Sequence, residues 1–175
     1  SHLPMFSNNK LCGCGKTGCL ETESSLLVVL EKAILGLRSG RLSGLGKDFP
    51  AGDFEKDCQE IIDAALRGDQ FAIELFSEAG YNIGRGVAIL IHLLNPEIVI
   101  LSGRGASAGK IWQASIQQAL NKDCIPRLSS NTEIVISKMG YDAALVGAAA
   151  LVMESRVKEI GKNFDNTRRK KDELI

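Results

Sequence analysis

Apolar positions along this 175-residue chain alternate between helical spacing and short continuous runs. Spacings of three and four residues predict helices, whereas short runs rich in Val and Ile between Gly or Pro predict strands. The predicted helices cover residues 21–37, 54–65, 70–94, 108–120 and 143–153, the last as a core helix. The predicted strands, both expected to be buried, cover residues 97–101 and 133–137. Alternating helices and strands indicate an α/β fold with parallel strands.

Residues that begin and end helices support this division. Ser24 or Ser25 can begin the first helix, Asp69 suits the N-cap of the helix over 70–94, and Pro96 ends that helix. Its second half contains small residues, which are poor helix formers but let another backbone approach closely. These residues are Gly80, Gly84, Gly86 and Ala88. We therefore expect this helix to be buried.

Composition indicates an ordinary globular protein made of one domain, or the larger part of one. Hydrophobic residues make up 45% of the chain, and 21 basic side chains balance 21 acidic ones. A net charge of zero gives no general electrostatic support to nucleic-acid binding. No apolar run reaches the roughly 18 residues of a membrane span, and the first residues do not resemble a signal peptide. We therefore expect a cytoplasmic protein without a membrane partner.

Three of the five cysteines lie close together near the start of the chain. Cys12, Cys14 and Cys19 have the spacing C-x-C-x4-C, and His2 precedes them. Intervening glycines let the backbone turn tightly and bring the sulfurs together. Three thiolates and one imidazole form a usual closed tetrahedral site for structural zinc. A metal there would also hold Glu21, two residues further on, in a fixed place where it can face a ligand.

Other interpretations of this run are weaker. A disulfide framework suits small secreted chains, whereas this chain has an odd number of cysteines. Cys58 and Cys124 lie in helical sequence and are expected to be buried small apolar residues. A Ser-His pair at a chain start can also be a vector remnant, which would remove His2 from the site. The glycines spell G-x-G-x-x-G, but they follow no convincing strand, and the Walker spacing fails at Lys10.

The turn after the first predicted strand, Ser102-Gly103-Arg104-Gly105, is a second candidate site. Glycines after a parallel strand permit close approach of a ligand, and the following helix N-terminus favours an anion. A tight turn without a ligand is the alternative. His92, on an apolar helix face, is expected to be a packed core histidine, and Trp112 a core or interface anchor.

The run from Leu11 to Ser25, together with His2, resembles the zinc signature of the ROK family, which contains sugar kinases and sugar-responsive transcriptional repressors. Residues 94–103 and 140–149 continue the resemblance, which covers about residues 1–154 and leaves 155–175 as a solvated polar tail. A DNA-binding arm is the alternative for that tail. The resemblance implies the C-terminal lobe of an actin-like ATPase (ribonuclease H-like) fold with a zinc-binding loop. It also implies that His2 binds zinc through one ring nitrogen and a sugar hydroxyl through the other, while Glu21 accepts hydrogen bonds from the same sugar.

Two departures from the family pattern bear on function. In the family's kinases the turn after this strand contacts the adenosine of ATP and is typically a run of glycines. The resemblance therefore makes Gly103, Arg104 and Gly105 a weak candidate nucleotide site, and the departures at Ser102 and Arg104 favour a repressor of the NagC/XylR type. Ser1 stands where the family's Glu-x-Gly-His pattern has Gly, and the Glu would precede the chain.

The resemblance leads to a specific expectation about function. We expect the effector-sensing and oligomerisation part of a ROK-type repressor, without catalytic residues and with a sugar or sugar phosphate as effector. DNA would be contacted only through an N-terminal region absent from this chain. The alternatives are the C-terminal lobe of a kinase that phosphorylates a hexose or N-acetylhexosamine, and a zinc-stabilised oligomerisation module without a ligand. A chain without the first lobe should expose apolar surface, so we expect a dimer or higher homo-oligomer.

Overall fold

The computed structural model of the chain describes residues 2–46 and 48–156, with the side chain of Tyr141 excepted. The helices are α1 (Glu21–Ser24), α2 (Leu26–Arg38), α3 (Phe54–Leu66), α4 (Gln70–Leu94), α5 (Gly109–Asp123), α6 (Pro126–Ser129) and α7 (residues 143–156). The strands are β1 (Ile98–Leu101) and β2 (Glu133–Ile136), and short 3-10 turns span Arg104–Ala108 and Gly140–Asp142. The expected α/β architecture is confirmed, although α6 was not anticipated.

The central helix α4 begins and ends where its flanking residues predict. Asp69 caps it by accepting the N–H of Ala72 at 2.8 Å, and Asn95 leaves it in a left-handed conformation with φ of 44°. Gly84 faces α5, where an added Cβ would lie 2.7 Å from the Cβ of Ala119. The small residues of α4 therefore let α5 pack closely against it. The predicted burial is confirmed for Gly80, Gly84, Gly86 and Ala88, but the last turn of the helix is exposed, with Leu93 and Leu94 both at 72%.

The single helix predicted over residues 21–37 is two helices, α1 and α2. Ser25 interrupts them with an extended backbone (ψ 156°), and its hydroxyl accepts the N–H of Val28 at 3.3 Å. Ser24 donates its hydroxyl to the carbonyl of Leu20 at 2.7 Å. Serine side chains compete in this way with the helical hydrogen bonds of the backbone. The break sets the direction of α1, which carries Glu21.

The two strands form a parallel sheet in which Ile98 pairs with Glu133 and Leu101 with Ile136. The connection between them runs through α5 and α6. The expectation that both strands are buried is wrong, because Ile98 and Ile100 are 51% and 64% exposed. Alternate residues of β1 pack on the helical core, and within the described ranges the other face has no covering layer.

The prediction that residues 143–153 form a core helix is also wrong. The helix α7 forms, but all of its described side chains beyond residue 143 are exposed, with Leu145 at 68% and Leu151 at 69%. A helix that is apolar on every side is normally buried. The exposed apolar surface expected of this chain is therefore present on α7.

Predictions for single residues had mixed outcomes. Trp112 is 9% exposed and its ring centroid lies 6.2 Å from that of Phe76, which confirms it as part of the core. Cys58 and Cys124 are buried as expected. The prediction that His92 is a packed core residue is wrong, because it is exposed in the last turn of α4. Its Nε2 accepts the N–H of Ile125 at 3.0 Å, which gives the imidazole a surface role in holding the short segment between α5 and α6.

Two expectations concern the ends and the surroundings of the chain. The predicted polar tail, residues 155–175, lies outside the described residues from position 157 onward. In the part of the chain that the structure describes, no helix has both the length and the apolar content needed to cross a bilayer.

Candidate metal centre and the adjoining cavity

Four predicted ligands, His2, Cys12, Cys14 and Cys19, converge on one point. Their ligand atoms all lie within 4.8 Å of one another. The Sγ of Cys12 lies 3.4 Å from Nδ1 of His2, and the Sγ of Cys14 lies 3.7 Å from that of Cys19. A tetrahedral ion bonded to sulfur at about 2.3 Å separates its ligands by roughly 3.8 Å. These two spacings match that tetrahedron, so the four residues, which we call the His/Cys cluster, could hold a metal ion.

The backbone before and after the cysteines brings the cluster together. Pro4 and Cys19 form an antiparallel bridge, which places the segment that carries His2 beside the last cysteine. The carbonyl of Gly18 accepts the N–H of Phe6 at 3.0 Å. Gly18 has φ of 70°, and a Cβ at this position would lie 1.9 Å from the carbonyl oxygen of Phe6. Only glycine permits this approach, so Gly18 is required for the cluster to close.

The thiols of the cluster differ in exposure and in pKa. A hydrogen bond from the backbone of Lys16 lowers the pKa of the exposed Cys14 thiol. Burial raises the pKa of the Cys19 thiol to about 11. All five cysteines lie in the described part of the chain and are free thiols, so the disulfide alternative is not supported.

A cavity of about 660 Å³ adjoins the His/Cys cluster. We call it the cluster cavity. Its walls include His2 and Cys12 from the cluster, Glu21 and Thr22 from α1, and Lys32 from α2. Nδ1 of His2 faces the sulfur of Cys12, which leaves Nε2 as the ring nitrogen for a second partner. Cavities of this volume suit small-molecule ligands. The structure thus brings the two predicted sugar-binding residues, His2 and Glu21, to the same cavity.

Two lysines that line the cluster cavity were not predicted from the sequence to lie there. Lys10 pairs with Glu23 of α1 at 2.8 Å, and Lys32 pairs with Glu78 of α4 at 2.8 Å. The position of Lys10 two residues before Cys12 could have indicated that it lies near the cluster. No sequence signal relates Lys32 to Glu78, because the two are 46 positions apart.

The second candidate site, the turn at residues 102–105, lies against α3 and α5. The guanidinium of Arg104 lies 3.0 Å from Oε1 of Glu55 and 6.0 Å from the centroid of the Phe54 ring. A Cβ at Gly105 would lie 2.4 Å from the indole of Trp112, so packing alone accounts for this glycine. The adjacent cavity of about 290 Å³ shares no lining residue with the cluster cavity. The structure therefore keeps the two candidate sites apart.

The chain resembles both enzymes and regulators of one family. It is 32% identical over 154 residues to a glucokinase from Thermotoga maritima, a match that covers 87% of this chain and 48% of that protein. It is 28% identical over 161 residues to the DNA-binding transcriptional dual regulator NagC of Escherichia coli, covering 91% of this chain and 37% of NagC.

Comparison with solved structures agrees with the sequence matches. The structure of a ROK family glucokinase from Streptomyces griseus, in complex with glucose and AMPPNP, has a TM-score of 0.72 at 27% identity, covering 86% of this chain and 49% of that one. The chain thus spans about half the length, or less, of these relatives. The profile of the ROK family matches residues 1–155. The chain therefore belongs to the ROK family, as its zinc-like signature predicts.

Proposed function

We propose that this chain is the sugar-sensing and oligomerisation part of a ROK-type transcriptional repressor, and that it holds a structural zinc ion. The ion would be bound by His2, Cys12, Cys14 and Cys19. The observation that carries the proposal is the position of the His/Cys cluster at the wall of a cavity that Glu21 also lines. A closed site of one histidine and three cysteines leaves no open coordination position, which is typical of structural zinc.

The two proposed sugar contacts are complementary. A zinc ion bound through Nδ1 of His2 would leave the proton on Nε2, which can then donate to a sugar oxygen. The carboxylate of Glu21 can accept a hydrogen bond from a sugar hydroxyl. A hydroxyl group both donates and accepts, so one donor and one acceptor at fixed positions suit a polyhydroxy ligand.

The same contacts connect the ligand to the helices. The hydroxyl of Thr22 donates to the carbonyl of Cys19 at 2.8 Å, so the metal loop and α1 are joined directly. A sugar or sugar-phosphate effector that contacts both His2 and Glu21 would bias the position of α1. In a repressor this bias would pass to the oligomer and to DNA-binding arms in a region outside this chain. The exposed apolar residues of α7 support the proposed homo-oligomer, because patches of this kind mark interaction sites.

Bound zinc and sugar affinity test the proposal. Elemental analysis of protein purified without chelator should give about one zinc per chain, and His2→Ala should lower or weaken it. Calorimetric titration with D-glucose, N-acetyl-D-glucosamine and D-xylose should show binding of at least one of them, and Glu21→Gln should abolish it. Full zinc in His2→Ala would remove His2 from the site, and absence of zinc would overturn the proposal.

The second candidate function is the C-terminal lobe of a sugar kinase. Similarity to the Thermotoga maritima glucokinase favours it. Against it, the turn proposed to touch a nucleotide has Arg104 in an ion pair with Glu55, where the family's kinases typically have glycine. We expect Gly103, Arg104 and Gly105 to bind ATP weakly if at all. Hexose-dependent ATP hydrolysis by the longer protein that contains this lobe would establish the kinase instead.

A further inference from the structure

A buried carboxylate pairs with one of the lysines that line the cluster cavity. Glu23, on α1, is 8% exposed. Its Oε1 accepts the side-chain amide of Asn8 at 2.6 Å and the ammonium of Lys10 at 2.8 Å. A buried charge is tolerated only when it is paired and hydrogen-bonded, and both donors to Glu23 come from the single segment before Cys12.

Glu23 also joins that segment to the rest of the fold. Its backbone carbonyl accepts the buried side-chain amide of Asn82, on α4, at 3.3 Å. Asn9 has a left-handed backbone conformation with φ of 54°, which asparagine adopts more readily than most residues, so the segment turns at this position. Residues 8–10 are held against α1 through the Glu23 carboxylate. They are also held against the metal loop through the carbonyl of Lys10, which accepts the N–H of Gly18 at 3.1 Å.

The tethered segment and α1 each contribute to the cluster cavity. Lys10 lines the cavity from the segment, and Glu21 lines it from α1, two residues before Glu23. The Glu23 carboxylate thus holds the side chain of Lys10 at a set position relative to Glu21, which also lines the cavity. No sequence pattern pointed to Glu23, and its position emerges only from the fold.

We propose that Glu23 is a positioning residue for the ligand in the cluster cavity. It contacts no ligand itself, and it acts by holding Asn8 and Lys10 at the distance from Glu21 that the sugar requires. This inference rests on the proposed sugar-binding function. It differs from a role in the metal site, because Glu23 contacts neither the histidine nor the cysteines of the cluster in the described residues.

The test measures sugar affinity and zinc content of the same variants. The probe is whichever of D-glucose, N-acetyl-D-glucosamine and D-xylose binds the unaltered chain most tightly. Glu23→Gln keeps the volume and an acceptor for Asn8 but removes the charge that holds Lys10, so it should raise the Kd about tenfold with zinc content unchanged. The matched control is Glu78→Gln, since Glu78 pairs with the other cavity lysine but its side chain is 55% exposed. Surface pairs contribute little, so this control should leave the Kd unaltered.

A double-mutant cycle with Lys10→Met separates positioning from simple loss of stability. If Lys10 is held by Glu23, the double variant should bind sugar no more weakly than Glu23→Gln alone. The proposal would be overturned if the increases in Kd of the two single variants multiply in the double variant. An unaltered Kd in Glu23→Gln would overturn it as well. Loss of zinc in Glu23→Gln would also overturn it, because Glu23 would then belong to the scaffold of the metal site. Absence of sugar binding by the unaltered chain would instead overturn the proposed function, and the inference with it.

Discussion

Asp69 joins a helix start to a loop, and its replacement should destabilise the fold more than loss of an ordinary helix cap. Its carboxylate accepts the N–H of Ala72 at 2.8 Å as the N-cap of α4. The same carboxylate accepts the hydroxyl of Ser43 at 3.0 Å and the backbone N–H of Gly44. Asp69→Ala therefore removes one cap and two contacts that hold the loop between α2 and α3.

The expected loss follows from these three hydrogen bonds. Removing an N-cap costs about 1 kcal/mol. Each of the other two bonds contributes about 1 kcal/mol or less, because the loop is partly exposed to water. We therefore expect Asp69→Ala to lower the free energy of unfolding by about 2–3 kcal/mol. The assay is urea denaturation, in which the free energy of unfolding should depend on urea concentration with the same slope in every variant. Asp53→Ala is the control. Asp53 caps α3 through the N–H groups of Glu55 and Lys56, and among the described residues its carboxylate accepts no hydrogen bond from the loop between α2 and α3. Asp53→Ala should therefore lower the free energy of unfolding by less than Asp69→Ala.

The pH dependence gives an independent check. Burial tends to raise the pKa of the Asp69 carboxyl, but hydrogen bonds from Gly44, Ala72 and Ser43 outweigh it and hold this pKa below its usual value of 3.8. A lowered pKa in the folded state means that the charge stabilises the fold above about pH 4 and that this stabilisation is lost as the pH falls further. Asp69→Asn keeps a good cap without the charge, so its difference from the unaltered protein should shrink below pH 4. Equal losses in Asp69→Ala and Asp53→Ala, or a difference for Asp69→Asn that grows in acid, would refute the reasoning.

Three further perturbations test the metal loop and the helical core. Gly18→Ala would place a methyl group against the carbonyl of Phe6, so zinc content by elemental analysis should fall, whereas Gly13→Ala, with open space around it, should retain zinc. Gly84→Ala would overpack the contact with Ala119, and the free energy of unfolding should fall by roughly 1–3 kcal/mol in urea denaturation. A strong chelator should lower the thermal midpoint, and added zinc should restore it; an unchanged midpoint would contradict a structural ion.

Elements determined by their own residues were predictable from the sequence. The helix α4 matches its predicted range because Asp69 caps its start, and Asn95 and then Pro96 follow its last residue. The cysteine cluster could also be predicted from the sequence, because zinc chemistry restricts both the kinds of ligand and their spacing. The close packing of α4 on α5 could also be anticipated, since glycines such as Gly84 have little other use inside a helix.

Features that depend on distant parts of the chain could not be predicted. His92 lies on an apolar helix face, yet its imidazole meets the backbone of Ile125 at the surface, and that contact exists only once α5 has packed. The break at Ser25 was missed because a serine can either cap a helix or continue within one. The ion pair of Lys32 and Glu78 could not be predicted from the sequence either, because long surface side chains give no periodic signal.

Apolar periodicity indicates that a residue is buried in the native protein, but it does not identify the surface that buries it. Leu145 and Leu151 have the same local pattern as buried residues of α4, and yet both are exposed here. The chain spans about half of the Thermotoga maritima glucokinase, so the cover for α7 need not come from this chain at all. The His/Cys cluster is the opposite case, because all four of its ligand atoms come from the first nineteen residues. A site whose ligands and supporting backbone are local can be inferred from a short stretch of sequence, whereas the burial of α7 depends on the surface that packs against it.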